Sequence, residues 1–216
     1  NQPLTALRTL SGNTIRFMER GDLDTVRANL KRINDLVDSM GALTSQLKQF
    51  ARKSPGHSEL TDLSAIIDQA LLILEPAIRQ HRATIQIQLA DDAGLVQCNP
   101  NRLEQVIVNL LSNAIDAGAS RNTHPVVQLS SQRQGQQVAV RVQDNGPGLS
   151  EDARLHLFEP FFTTKESGTG LGLGLAISMS IIQHCEGSLT ADNLPGGGAV
   201  FTIVLPFPGA EKCTKG

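Results

Sequence analysis

The chain has no tryptophan and no tyrosine, and its seven aromatic residues are all phenylalanine. It has little charge imbalance, with 19 basic and 21 acidic residues giving a net −2, so it offers no basic surface for nucleic acid. No apolar run reaches the ~18 residues of a membrane span, and no secretory leader is visible. No direct membrane contact is expected, and a cytoplasmic location is; any spans of a membrane-anchored parent would lie upstream of Asn1. Cysteine is scarce too. Cys98, Cys185 and Cys213 are odd in number, far apart and without metal-ligand spacing, which predicts a reducing compartment and buried or incidental thiols.

Glycine, by contrast, is concentrated. Gly168, Gly170, Gly172 and Gly174 alternate with Thr169, Leu171 and Leu173 ahead of an apolar run from Leu175 to Ile182. Such a loop either punctuates the chain before a helix, or turns successive amide N–H groups around an anion at a positive helix end. A second cluster, Asp144-Asn145-Gly146-Pro147-Gly148, follows the alternating segment 137–143, so a carboxylate stands where a strand ends, either as an Asx turn or as an acceptor in a pocket. A third is the run Asn109 to Ala117 on a helix expected over about 101–117. There Asn109 and Asn113 share one face, while Leu103, Val106, Ile107, Leu110, Leu111, Ala114 and Ile115 form the packed remainder. The two amides either pair internally or offer carbonyl oxygens to a hard cation.

The first 52 residues are organised differently. Leu23, Val26, Leu30, Ile33, Val37, Met40, Thr44, Leu47 and Ala51 alternate steps of three and four, a heptad seam. An earlier helix carries Leu4, Leu7, Leu10, Phe17 and Met18 and ends near Gly21, with Asp22 placed to cap the next. Two such helices enclose no core alone; they form a homodimeric four-helix bundle or pack on their own domain. Residues 53–58 read as a linker and 209–216 as a tail. Residues 59–208 alternate helices (63–80, 101–117) with strands near 83–89, 126–131, 137–144, 188–192 and 199–205. The expected class is α+β, a helical hairpin followed by a two-layer α/β sandwich with helices on one sheet face.

In order, NLLSNAIDA, DNGPG, LFEPFFTTK (157–165) and GTGLGLGL resemble the N, G1, F and G2 boxes of sensor histidine kinases, members of the GHKL ATP-binding superfamily. The likeness extends to Asn1-Gln2-Pro3-Leu4 and to residues 196–206, nearly the whole chain. The NQPLTALR start, the LKQFARK segment and FEPFFTTKESGTGLGLGLAIS look most like the C4-dicarboxylate sensor group, whose partners are response regulators of the NtrC type.

The resemblance implies the site residue by residue. Asp144 would bond the adenine amino group, with Gly146 and Gly148 folding close to the base. Asn113 would give its oxygen to Mg²⁺, which commonly keeps several waters and leans on phosphates. Asn109 would hold the phosphates or that water shell. The loop Gly168, Gly170, Leu171, Gly172, Leu173 and Gly174 would cradle the phosphates of ATP, and Thr202 would bond near the base. Lys165 either meets the γ-phosphate or is a solvated surface lysine. Residues 160–171 would form a lid, with Phe161 and Phe162 anchoring it to the core. The family's acceptor box runs His-Glu-x-Asn-Gln-Pro, which puts the phosphorylated His three residues before Asn1. None of His57, His81, His124, His156 or His184 has that context. Gln2, one helical turn after that His, either orients water for dephosphorylation of the regulator, where related kinases have Thr or Asn, or is a solvated helix residue. The hairpin of these kinases dimerises.

Two other classes compete. GHKL ATPases of the gyrase, heat-shock chaperone and mismatch-repair type activate water with a glutamate where Asn109 stands, and an amide is no general base. A nucleotide-gated dimerisation module without transfer activity is the other, against which the intact boxes argue.

Overall fold

A computed structural model describes residues 2–34, 37, 59–121, 124–164 and 172–207. The chain divides into two compact units, Asn1–Ser54 and Pro55–Gly216.

In the first unit, α1 (Gln2–Glu19) ends where Gly21 takes φ +75°, and α2 begins over residues 23–34. Asp22 caps α2: its Oδ1 accepts from the Thr25 N–H at 3.1 Å and its Oδ2 from the Thr25 hydroxyl at 2.7 Å, as its position in the sequence predicts. These bonds favour the carboxylate and hold its pKa below the usual value. Ile15, Met18, Leu23, Leu30 and Val37 stay about half exposed or more.

The second unit starts with a strand the sequence does not announce. β1 (Glu59–Asp62) pairs antiparallel with β3 (Leu95–Cys98). Asp62 then caps α3 (Leu63–His81), accepting from the Ser64 N–H at 2.8 Å. The main sheet comprises β2 (Thr84–Leu89), β4 (Val126–Gln134), β5 (Gln137–Asp144), β6 (Ser188–Asn193) and β7 (Ala199–Pro206). Its order is β2-β4-β5-β7-β6, with only β2 and β4 parallel. Two short elements join these: a 3-10 turn at Asp91–Ala93 and α5 (Glu151–His156), which Ser150 caps through the Ala153 N–H at 3.1 Å.

The core forms where α4 (Pro100–Ser120) and α6 (Gly174–His184) pack on the sheet and on each other. All seven apolar positions expected on α4 are at most 1% exposed, where the helix packs on α3, α6 and the sheet. Each of the Leu, Ile and Val side chains contributes about 1.5–3 kcal/mol by leaving water. Alternation along β7 buries Ala199, Phe201, Ile203 and Leu205 on one face only, as a one-sided layer requires.

One expectation is corrected here. Cys98 and Cys185 are not separate thiols but a disulfide, with Cα atoms 5.4 Å apart. They lie 87 residues apart in sequence, yet Cys98 closes β3 just before α4 and Cys185 follows α6, so the packing of the two helices brings them together. Cys213 lies outside the described residues.

Candidate functional site

The site is built along one stripe of α4. Asn109, Asn113 and Ala117 recur every four residues, half-buried, on the edge of the helix's apolar face. Over the stripe's length of about 12 Å α4 meets α6 at one end and the loop after β5 at the other.

At the β5 end, Asp144 closes a strand in the interior of the sheet and is only 5% exposed. Its Oδ1 accepts two backbone N–H groups, from Gly146 at 2.8 Å and from Ala199 at 3.2 Å. No buried side-chain polar atom among the described residues lacks a partner, so Oδ2, which shares neither bond, is the oxygen that reaches the surface. Burial pushes the Asp144 pKa up, and the two N–H groups oppose that shift. The result is an acceptor fixed in place by two backbone bonds.

The turn around it is held from three sides. Asn145 accepts the Val126 N–H at 2.9 Å and donates to the His124 carbonyl at 2.9 Å. Arg121, just past α4, donates to the carbonyls of Asn145 at 3.4 Å and Gly146 at 3.2 Å. Asn193 at the end of β6 grips Leu149, accepting its N–H at 2.6 Å and donating to its carbonyl at 2.8 Å. Gly146 is required by close approach: a Cβ there would stand 2.8 Å from the Cβ of Ala117.

At the α6 end, Asn109 donates from Nδ2 to the Ser178 hydroxyl at 3.0 Å, and its Oδ1 lies against the α-carbon of Gly174, where any side chain would collide with it. Gly172 takes φ +65°, its carbonyl accepts the Phe161 N–H at 2.9 Å, and a Cβ would run into the Phe162 carbonyl. The two ends of the expected lid are therefore joined at Phe161 and Gly172. Lys165, Gly168, Gly170 and Leu171 fall outside the described residues. Beside the lid's start, His156 donates from Nδ1 to the Glu159 carboxylate at 3.0 Å and has Asp152 at 3.8 Å. The bond to Glu159 raises its pKa.

Asp144, Gly146, Gly148, Asn109, Asn113, Gly172, Leu173 and Gly174 thus border one region. Thr202 does not join them. The register sets it opposite Arg141 and Thr190, one step out of phase with Ala199 and Phe201, so it projects from the other sheet face. On the buried face of the same strand, the Ala199 N–H anchors Asp144. Gln2 opens α1, in the other unit. The sequence reading missed Arg121, Asn145, Asn193 and Ala199 as supports of the turn. Only Asn145 carried a signal, by its place inside DNGPG.

The described residues contain no cluster of three or more His, Cys, Asp or Glu able to hold a metal alone. A neutral amide suits Mg²⁺ that arrives with phosphate oxygens and water, for which one protein oxygen suffices. Asn113 fits that role, whereas Asn109 Oδ1 is packed against Gly174.

A buried, doubly anchored aspartate thus stands between the sheet and an amide-bearing helix. Residues 98–209, just over half the chain, match the family described as histidine kinase-, DNA gyrase B- and HSP90-like ATPases, and the chain belongs to that family. Among curated proteins it is 36% identical over 206 residues to the C4-dicarboxylate transport sensor protein DctB of Rhizobium meliloti (strain 1021), covering 95% of this chain and 32% of that protein. The chain spans about a third of the length of the curated sensor proteins it first matches. Among solved structures, the catalytic domain of the histidine kinase ThkA is similar with a TM-score of 0.61 and 29% identity, covering 69% of this chain and 95% of that one. ThkA in complex with its response regulator TrrA shares the fold over 95% of this chain and 58% of that one, at 24% identity and a TM-score of 0.73.

Proposed function

We propose that the chain is the kinase core of a sensor histidine kinase, which binds Mg²⁺-ATP and passes the γ-phosphoryl group to a histidine just before Asn1, then to an aspartate of a response regulator. The observation that carries this is the Asp144 carboxylate, buried and doubly anchored through Oδ1, with Oδ2 at the surface. An adenine amino group is a donor that such an oxygen suits, and a rigid acceptor gives selectivity because a base without the donor would leave it unpaired.

Phosphoryl transfer is mainly positioning and charge stabilisation. Asp144 holds the base, Asn113 supplies an oxygen to Mg²⁺, and Asn109 orients the phosphates from the α4–α6 junction. The amides of Gly172, Leu173 and Gly174 at the start of α6, together with those of Gly168, Gly170 and Leu171, meet the phosphates, and Lys165 meets the γ-phosphate. Mg²⁺ neutralises charge that develops on the transferred group. Asn109 donates to Ser178 and cannot take a proton from water, which favours transfer over hydrolysis.

The exposed apolar side chains of the hairpin support a homodimeric four-helix bundle, since Leu23, Leu30 and Val37 need a partner surface. The regulator partner is a receiver domain, of NtrC type by likeness to the C4-dicarboxylate sensors. No described helix is long and apolar enough to cross a membrane, and a cytosolic setting agrees with the use of ATP. Amide NMR checks the site: adding a non-hydrolysable ATP analogue with Mg²⁺ shifts Gly146, Ala199, Asn109, Asn113 and Gly174. Shifts confined to β1, β3 and α3 would overturn the assignment.

A further inference from the structure

Cys98 is fully buried, whereas Cys185 is partly exposed at the end of α6. Their Cα separation of 5.4 Å falls inside the range a disulfide tolerates. The bond ties the start of α4, through Cys98 beside the capping Asn99, to the finish of α6. The same two helices meet again at Asn109 and Ser178, eleven residues on from Cys98 along α4 and seven back from Cys185 along α6. The segment between the cysteines carries Asn109, Asn113, Asp144, Gly146, Gly148, Gly172, Leu173 and Gly174, while the anchor Ala199 lies beyond it. A disulfide here therefore closes a loop that carries both asparagines of α4, Asp144 and the start of α6, and it ties together the helix pair that supports them.

A chain that binds ATP works in a compartment where thiols are kept reduced, and disulfides found there are transient or redox-sensing. We propose that Cys98 and Cys185 are a reversible redox modification site, which an oxidised low-molecular-weight thiol closes and a reduced one opens, and that closure stabilises the nucleotide-binding unit. The identity of the site goes beyond the kinase reading, though the cytosolic setting rests on it. Cys185, partly exposed, supplies the first thiolate. It attacks one sulfur of oxidised glutathione, forms a mixed disulfide and releases one glutathione. The Cys98 thiolate then displaces the second glutathione and forms the Cys98–Cys185 bond. Two protein thiols are oxidised, one glutathione disulfide is reduced to two thiols, and the two protons leave with the glutathione.

Closing a loop of this length restricts the unfolded chain and raises the melting temperature by about 10 °C. The 216-residue chain, equilibrated over a series of reduced-to-oxidised glutathione ratios, is quenched by alkylation and analysed by intact mass and peptide mapping. Expected are a loss of two hydrogens, a Cys98–Cys185 peptide pair, a melting temperature that rises with that species, and reversal by millimolar reduced glutathione. Cys185→Ser and Cys98→Ser each remove the rise; Cys185→Ser melts with the reduced wild type, and Cys98→Ser melts lower at every ratio because it buries a hydroxyl. Three results would overturn the proposal: thiols that stay alkylatable throughout, linkage through Cys213, or a bond that millimolar reduced glutathione leaves closed. The kinase reading fails separately, by absent ATP-analogue binding to the folded, reduced chain.

Discussion

Replacing Asp144 by asparagine isolates the atom that faces the ligand. Asp144→Ala is a poor test, because it strips both backbone N–H groups of Gly146 and Ala199 of their acceptor in a 5% exposed position, at about 1–3 kcal/mol for each orphaned group. That exceeds the roughly 1 kcal/mol a turn aspartate would carry, and it confuses unfolding with lost binding. Asparagine keeps Oδ1 and both of those bonds, and turns the outward atom from acceptor into donor. Flipping the amide would aim its NH₂ at the two N–H groups, so the pair of backbone bonds fixes the orientation. The adenine amino group then meets another donor. The charge-assisted bond is lost, worth about 2–3 kcal/mol, which corresponds to about 30- to 150-fold in affinity. Calorimetry with a non-hydrolysable ATP analogue should show that loss, alongside a melting temperature within a few degrees of wild type. An affinity within twofold of wild type in the folded variant would refute the assignment of Asp144 to the base.

The metal role is read from Mg²⁺ dependence: Asn113→Ala should raise the Mg²⁺ needed for half-maximal nucleotide binding about tenfold while metal-free binding changes little, and identical Mg²⁺ curves would remove Asn113 from that role. His156 should titrate above 6.5, because its bond with Glu159 favours the charged ring. Its folded pKa is raised, so the stabilisation is complete below 6.5 and fades as pH climbs through the folded value. Glu159→Gln should therefore lower the NMR midpoint of His156 and reduce the melting temperature more at about pH 6 than at about pH 9; an unmoved midpoint would contradict the pairing. In a longer protein that includes the acceptor histidine, Gln2→Ala should slow loss of phosphate from the regulator several-fold and spare autophosphorylation, whereas equal decay would leave Gln2 without a catalytic role.

How far the sequence was legible follows from which forces each feature rests on. The long amphipathic α3 and α4 were readable because periodicity reports burial directly, and α4's seven apolar positions are all core. β1 and β3 were not: Glu59–Asp62 and Leu95–Cys98 are four residues each with no telling alternation, and they are strands only because they pair with each other. Thr202 was misplaced by one step of register. Both parities of β7 carry apolar residues, Val200 and Val204 on one and Phe201 and Ile203 on the other, so the sequence alone left the face open. Cys98 and Cys185 meet through helix packing, which spacing along the chain does not encode. Asp144 and the two asparagines were visible by motif, but the anchoring of Asp144 by Ala199, 55 residues away, is a tertiary fact.

The central claim, that ATP bound beside Asp144 phosphorylates a histidine, is tested most directly by adding Mg²⁺ and γ-labelled ATP to a longer form of the protein that includes the expected acceptor box. The account predicts label on the chain that is stable to alkali and lost in acid, mapped to the histidine three residues before Asn1, and absent in Asp144→Asn at limiting ATP. Release of free phosphate with no acid-labile label on the chain would contradict it.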